Sequence, residues 1–363
     1  MLIYITTILS SLLITYIYGR THKKMGFFRI CLCLFIPSLI AGVRDVTVGT
    51  DTWFYAEGYF YDVVHSIDFT EFINNIGRFE IGYGLINFVV AQFSSDLNAL
   101  LFTIQFLTLF FVFKAIQNTE TKMIAFSMMI YFFMFYNISL NLIRQTLAMT
   151  CFLYALVIWD KNHKNYLAYI LLLLSFSFHK SVILAIPIVL FCKYIVLSRS
   201  RFKWVCIILV CTFSIIALSY IDYFINILVT VSPLFDNFIY YTTDYSSRGS
   251  NISEIFLRII FLSFALLTLS SGKIDKKAGE SYMLLIFFEI VFLWAGSISQ
   301  WVYRLAYYFS IIHVVYLPMM ISTYKYKTVY KLAIIIPIII IWYWLFIDHN
   351  VGATIPYKSK ILF

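Results

Sequence analysis

The feature that most constrains this chain is a succession of apolar runs, most long enough to cross a bilayer, joined by short connectors that are mostly basic. Twelve runs are read at about 2–18, 27–43, 97–113, 123–139, 142–159, 166–178, 182–197, 204–221, 255–269, 282–298, 302–321 and 329–347. About 20 apolar residues cross the hydrocarbon core of a membrane. The expected fold class is therefore all-α: a polytopic integral membrane protein of about 12 transmembrane helices, with residues 1–363 as one membrane domain. With 62% hydrophobic and 12% charged residues, the chain cannot hide its apolar surface in a water-soluble core. The first run has no basic leader and no small-residue cleavage site, so it reads as a retained span.

A net charge of +9 would suggest nucleic acid in a soluble protein, but here Lys and Arg fall between apolar runs, as topology signals do. Arg20, Lys23, Lys24 and Arg29 follow the first run. Later connectors carry Lys161 and Lys164; Arg199, Arg201 and Lys203; Lys273, Lys276 and Lys277; and Lys325, Lys327 and Lys331. The positive-inside rule assigns all of these to the cytoplasm and both termini to the outside. Residues 81–93 are apolar but short, and a crossing there would invert every later connector, so a re-entrant or interfacial helix is expected. Two long outer segments, 44–80 and 222–254, exceed what a helix connection needs, and long ordered loops are usually functional. All six cysteines lie in or beside apolar runs, which argues for small core residues rather than a disulfide framework or a zinc site.

An ionisable residue within or at the edge of a span is a functional-site hypothesis. Arg144 lies in Asn141-Leu-Ile-Arg144-Gln145, where helical spacing would put Asn141, Arg144 and Gln145 on one face. His179 sits at an outer turn in Phe178-His179-Lys180-Ser181, and Arg304 opens the eleventh run with Tyr308 one turn on. The topology brings all three to the outer side, where the first outer segment adds Arg44, Asp45, Asp51, Trp53, Tyr55 and, at its end, Glu80. Each residue also has a plainer reading: snorkelling arginines, a capping histidine, an ordinary Gly49-Thr50-Asp51 turn, an interfacial belt of aromatics. Taken together they suit a lipid pyrophosphate, because guanidinium groups grip phosphate and keep their charge. A nearby His179, Asp51 or Glu80 could accept the proton of an attacking sugar hydroxyl.

Arg44-Asp-Val-Thr-Val-Gly49-Thr-Asp51-Thr-Trp53-Phe-Tyr55, Glu80-Ile-Gly82-Tyr83, Asn141-Leu-Ile-Arg144-Gln145, Phe178-His179-Lys180-Ser181, Arg304 with Tyr308, and Pro356-Tyr357 together resemble the ordered landmarks of the EpsG-type, Wzy-like polysaccharide polymerases. The resemblance covers nearly the whole chain, and the Arg-x-x-x-Val-Gly-Thr-Asp stretch is its most specific part. It implies joining of undecaprenyl-pyrophosphate-linked oligosaccharide repeat units, for an O-antigen, capsule or exopolysaccharide, on the outer side of the bacterial cytoplasmic membrane. It also implies no cofactor and no essential metal, with a flippase and a chain-length regulator as possible partners. By position, Arg144 and Arg304 would clamp pyrophosphate, with Arg44, Asn141, Gln145, Tyr308, Trp53, Tyr55 and Tyr357 also facing substrate. His179, Asp51 and Glu80 would be candidates for the base. Two other readings stay open. A flippase for the same lipid would need charge through the depth of several spans, where only Glu289 is noted, and a membrane O-acyltransferase would need a route for its acyl donor.

Overall fold

The computed structural model describes residues 1–19, 25–66, 68–76, 80–119, 123–197, 205–210, 252–297 and 300–362, with scattered positions between 212 and 230. Among these residues every regular element is helical. In chain order they are α1 (Leu2–Gly19), α2 (Phe27–Gly42), a π-helical stretch (Thr52–Glu57), α3 (Gly58–His65), α4 (Phe69–Ile76), α5 (Ile81–Ala91), α6 (Leu97–Gln117), α7 (Ile124–Tyr131), a π-helical stretch (Phe132–Tyr136), α8 (Asn137–Asn141), α9 (Ile143–Lys161), α10 (Tyr166–Phe178) and α11 (Val182–Leu197). Then follow α12 (Ile252–Ser270), α13 (Lys276–Ala295), α14 (Gln300–Ser310), α15 (His313–Ser322), α16 (Lys327–Trp342) and a last π-helical stretch (Tyr343–Asp348).

Two compact units divide the chain: Met1–Ile183 with Ile311–Phe363, and Leu184–Ser310. In the first unit α9 is the core element, buried along nearly its whole length and packed against α6 and α10. Polar atoms that helices leave over are taken up by neighbours. Pro37 inside α2 has no N–H, so the carbonyl of Cys33 one turn earlier lacks its usual donor. Ser11 of α1 donates to that carbonyl at 2.7 Å, and the Tyr136 hydroxyl donates to the Pro37 carbonyl at 2.7 Å. These bonds fix how α1 and the α7–α8 line lie on α2.

By length and composition, seven helices among the described residues can cross a membrane: Leu2–Gly19, Leu97–Gln117, Ile124–Asn141, Ile252–Ser270, Lys276–Ala295, Val302–Ser322 and Lys327–Asp348. Phe27–Gly42, Tyr166–Phe178 and Val182–Val196 are apolar but shorter. The expected twelve crossings are thus met in part. The run at 142–159 becomes α9, whose polar residues and surrounding protein make it a core helix rather than a lipid-facing one, and half of 204–221 lies outside the described residues. The segment 44–80 is no open loop: α3, α4 and a π-helical stretch lie within it. Helix α5 is about 16 Å long at 1.5 Å per residue, half the roughly 30 Å of a hydrocarbon core, in keeping with its reading as a non-crossing helix. The segment 222–254 lies almost entirely outside the described residues. Cys31, Cys33, Cys151, Cys192 and Cys206 are free thiols.

Candidate active site

Three elements of the first unit meet at the carboxylate of Glu80. Glu80 stands in extended backbone just before α5, Arg144 is in the first turn of α9, and His179 caps the end of α10 in extended backbone. Their approach depends on Gly82. A Cβ there would lie 2.2 Å from the Ser177 hydroxyl oxygen and 2.9 Å from the Ser177 carbonyl carbon, so only glycine lets α5 come this close to α10. Glu80 Oε2 accepts from Arg144 Nη1 at 2.9 Å, and Glu80 Oε1 pairs with His179 Nδ1 at 2.8 Å and accepts the Lys180 N–H at 3.3 Å. The carboxylate is nearly covered at 7% exposure, whereas Arg144 (14%) and His179 (18%) keep part of their side chains accessible.

Burial alone would raise the carboxyl pKa of Glu80. The hydrogen bond from His179 and the charges of His179 and Arg144 outweigh burial and hold it at about 2. An ionised carboxylate only accepts hydrogen bonds, so Nδ1 of His179 is the donor. In the neutral imidazole that leaves Nε2 as the acceptor, and Nε2 has no hydrogen-bond partner among the described residues. The Arg144 guanidinium also lies over aromatic faces, 4.6 Å from the centre of the Tyr55 ring and 5.8 Å from that of Tyr83, a favourable cation–π arrangement.

The conspicuous Arg44–Thr52 stretch has a different part. Arg44 is buried at 3% exposure. Its guanidinium donates to carbonyls left over by two helix ends, Ala41 at 2.7 Å and Leu140 at 3.0 Å, and also to the Val48 carbonyl at 3.3 Å and the Thr52 hydroxyl at 3.2 Å. Burial lowers its pKa to about 10, still cationic at neutral pH. Arg44 is thus a staple inside the protein, which corrects its expected place at a phosphate. Gly49 has φ +90°, and a Cβ there would fall 2.5 Å from the Leu140 carbonyl oxygen.

Asn141 holds the same turn. Its Oδ1 accepts from the Thr50 hydroxyl at 2.9 Å and the Asp51 N–H at 3.2 Å. The chain breaks at Leu142 (φ −88°, ψ 60°), so Asn141 ends one helix and Arg144 starts another, and the expected common face of Asn141, Arg144 and Gln145 does not form. Gln145 is buried at 5% in α9. Tyr357 is likewise tied into the scaffold: its hydroxyl donates to the Ile40 carbonyl at 2.8 Å and its ring meets Tyr4 edge-on.

Of the other sequence candidates, Asp51 is half-buried at the head of the π-helical stretch, Tyr55 lies under Arg144, and Trp53 is 61% exposed. Arg304 is half-buried and Tyr308 fully buried, both in α14 of the second unit.

The sequence reading missed two features. Arg258 lies inside the run at 255–269, so Glu289 is not alone among charges within the spans. Arg258 Nε donates to Glu289 Oε1 and its Nη2 to the Ser310 hydroxyl, Ser310 itself bonds Glu289, and the Tyr303 hydroxyl donates to Glu254. An ionisable residue in a span is a signal in itself, and it was readable at Arg258. The second feature is Tyr83, whose ring adjoins Arg144. In sequence it is only the last residue of Glu80-Ile-Gly82-Tyr83, with nothing to mark a role.

Residues 26–359 match the EpsG family. No curated protein and no solved structure matches the chain.

Proposed function

The chain belongs to the EpsG family, which makes it a membrane protein of polysaccharide biosynthesis, and from that premise we propose that it is a polymerase joining undecaprenyl-pyrophosphate-linked repeat units. The reaction takes place on the outer face of the bacterial cytoplasmic membrane. The observation that carries this reading is the single carboxylate, Glu80, that engages a guanidinium on one oxygen and an imidazole on the other.

In this reading His179 is the general base. The acceptor sugar's hydroxyl oxygen attacks the anomeric carbon of the donor glycan, and its proton passes to His179 Nε2. The bond from that carbon to the pyrophosphate oxygen breaks, and the electron pair leaves with the pyrophosphate. To Arg144 this reading assigns stabilisation of the departing anion by its permanent charge. Glu80 orients the imidazole and offsets the charge it gains, the part a carboxylate plays toward histidine in hydrolytic triads. Asp51 and the rings of Tyr55 and Trp53 are proposed to face the sugars. Arg304 enters on sequence grounds alone, as a second guanidinium for phosphate.

Purified protein in lipid nanodiscs, supplied with its lipid-linked repeat unit, should produce a ladder of longer glycans that is insensitive to chelators. Folded Arg144→Ala and His179→Ala variants should each lose the ladder. A full ladder from either one would sink the assignment.

A further inference from the structure

The Tyr83 hydroxyl is buried and has no hydrogen-bond partner, in a residue with 0% of its surface exposed. A phenol left this way costs free energy unless something else completes it, and no packing need calls for the oxygen, because Phe would fill the same space. The ring is held firmly. It lies against Tyr59 at 5.5 Å between ring centres, and Tyr59 is itself set edge-on against Phe72. The Asn87 side chain, one turn on, lies near the phenol, but its amide N–H donates to the Tyr83 carbonyl at 2.8 Å, and both its Oδ1 and the Tyr83 hydroxyl stay without a partner at hydrogen-bond distance.

The surroundings of the ring indicate what the hydroxyl would meet. Arg144 lies 5.8 Å from the ring centre, and Arg144, Asp51 and Glu80 are all within electrostatic reach of the phenol. A neutral O–H donor beside a guanidinium suits an oxyanion, which can accept from both. Two donors of different kinds on one oxyanion also fix its orientation, which a single guanidinium on a long, flexible stem does not.

We propose that Tyr83 is a substrate-binding residue whose hydroxyl donates to a phosphate oxygen of the lipid pyrophosphate gripped by Arg144, reached when Arg144 turns from Glu80 toward that ligand. The proposal rests on the polymerase reading above and adds a residue to its donor site.

The probe is polyprenyl pyrophosphate, with inorganic pyrophosphate and the uncharged polyprenol as the other arms. Binding to the full-length protein in nanodiscs is followed by ligand-induced shift in Tm. Wild-type protein should be stabilised by polyprenyl pyrophosphate and not by polyprenol, and response to inorganic pyrophosphate would mark the headgroup as sufficient. Tyr83→Phe should leave the ligand-free Tm at or above that of wild type and weaken binding by about 10- to 100-fold, the worth of a hydrogen bond to a charged group. Two outcomes would overturn the proposal while leaving the polymerase reading intact: equal binding by Tyr83→Phe and wild type while Arg144→Ala binds poorly, or a lowered ligand-free Tm in Tyr83→Phe, which would mean that the hydroxyl has a structural partner. No response of wild-type protein to polyprenyl pyrophosphate would instead overturn the polymerase reading itself.

Discussion

His179 Nδ1 lies 2.8 Å from Glu80 Oε1, although 99 positions of chain separate the two residues. The same carboxylate reaches Arg144 through its other oxygen. A buried carboxylate between a permanent cation and an imidazole does two things. It selects the imidazole tautomer whose Nε2 is an acceptor, and it stabilises the imidazolium that proton uptake would form.

Glu80→Gln should therefore disable the site without dismantling it. The amide keeps the shape and one acceptor oxygen but can also donate to Nδ1, so the tautomer is no longer selected and the counter-charge is gone. Turnover is expected to fall by about 100- to 10,000-fold, the scale of the corresponding change in a histidine–carboxylate pair. Circular dichroism should be unchanged, and the rate of ladder growth is the readout.

Acid should act on the same residue. With a folded pKa of about 2 against an ordinary 4.5, Glu80 contributes stability that is fully present above pH 4.5 and is lost as pH falls from there toward 2. Tm measured against pH should fall more steeply for wild type than for Glu80→Gln across that window, and the two curves should converge at its acid end. Parallel curves would show that the Glu80 carboxyl has the same pKa in the folded and unfolded protein, and so is not held ionised by Arg144 and His179.

The apolar runs announced an all-helical membrane protein because the bilayer demands backbone bonds within each segment, and most runs recur as helices within a few residues. Arg144, His179 and Arg304 stand out because ionisable groups are rare in apolar sequence; of the ionisable candidates, Glu80 lies within hydrogen-bond distance of Arg144 and His179, while Arg304 belongs to the second unit. What sequence did not reveal was direction. Arg44 carries the same charge as Arg144, yet faces inward to helix-end carbonyls, because the break at Leu142 and the end of α2 leave acceptors there that only tertiary structure brings together. That same break undid the helical spacing used to group Asn141 with Arg144. Tyr83 was overlooked because one tyrosine among 28 has no distinguishing pattern until its hydroxyl is seen to lack a partner.

Arg44 and Arg144 should separate cleanly on substitution. Arg44→Ala would leave several buried carbonyls without donors, and a loss of about 3–5 kcal/mol is expected, read as poor recovery from the membrane and a sharply lowered Tm. Arg144 is partly exposed and its partner Glu80 retains other donors, so Arg144→Ala should fold and fail in binding the pyrophosphate and in turnover. Arg44→Ala protein that folds normally and binds polyprenyl pyrophosphate poorly would return Arg44 to the substrate.

The Arg258–Glu289 pair can be tested as a pair. Both side chains are buried, at 4% and 0% exposure, in two helices that are candidate membrane spans. Removing one member leaves the other's charge in a medium that solvates it poorly, at a cost of about 3–5 kcal/mol, whereas replacing both by apolar residues of similar volume is often nearly neutral. Arg258→Met and Glu289→Leu should therefore each lower Tm strongly, and the double variant should recover most of the loss, with a coupling energy of about 2 kcal/mol or more in a double-mutant cycle. Such a result would mark the pair as an element of folding specificity in the second unit. If the double variant is stable yet inactive in the ladder assay, the pair serves the reaction as well, by fixing through Ser310 the helix that carries Arg304.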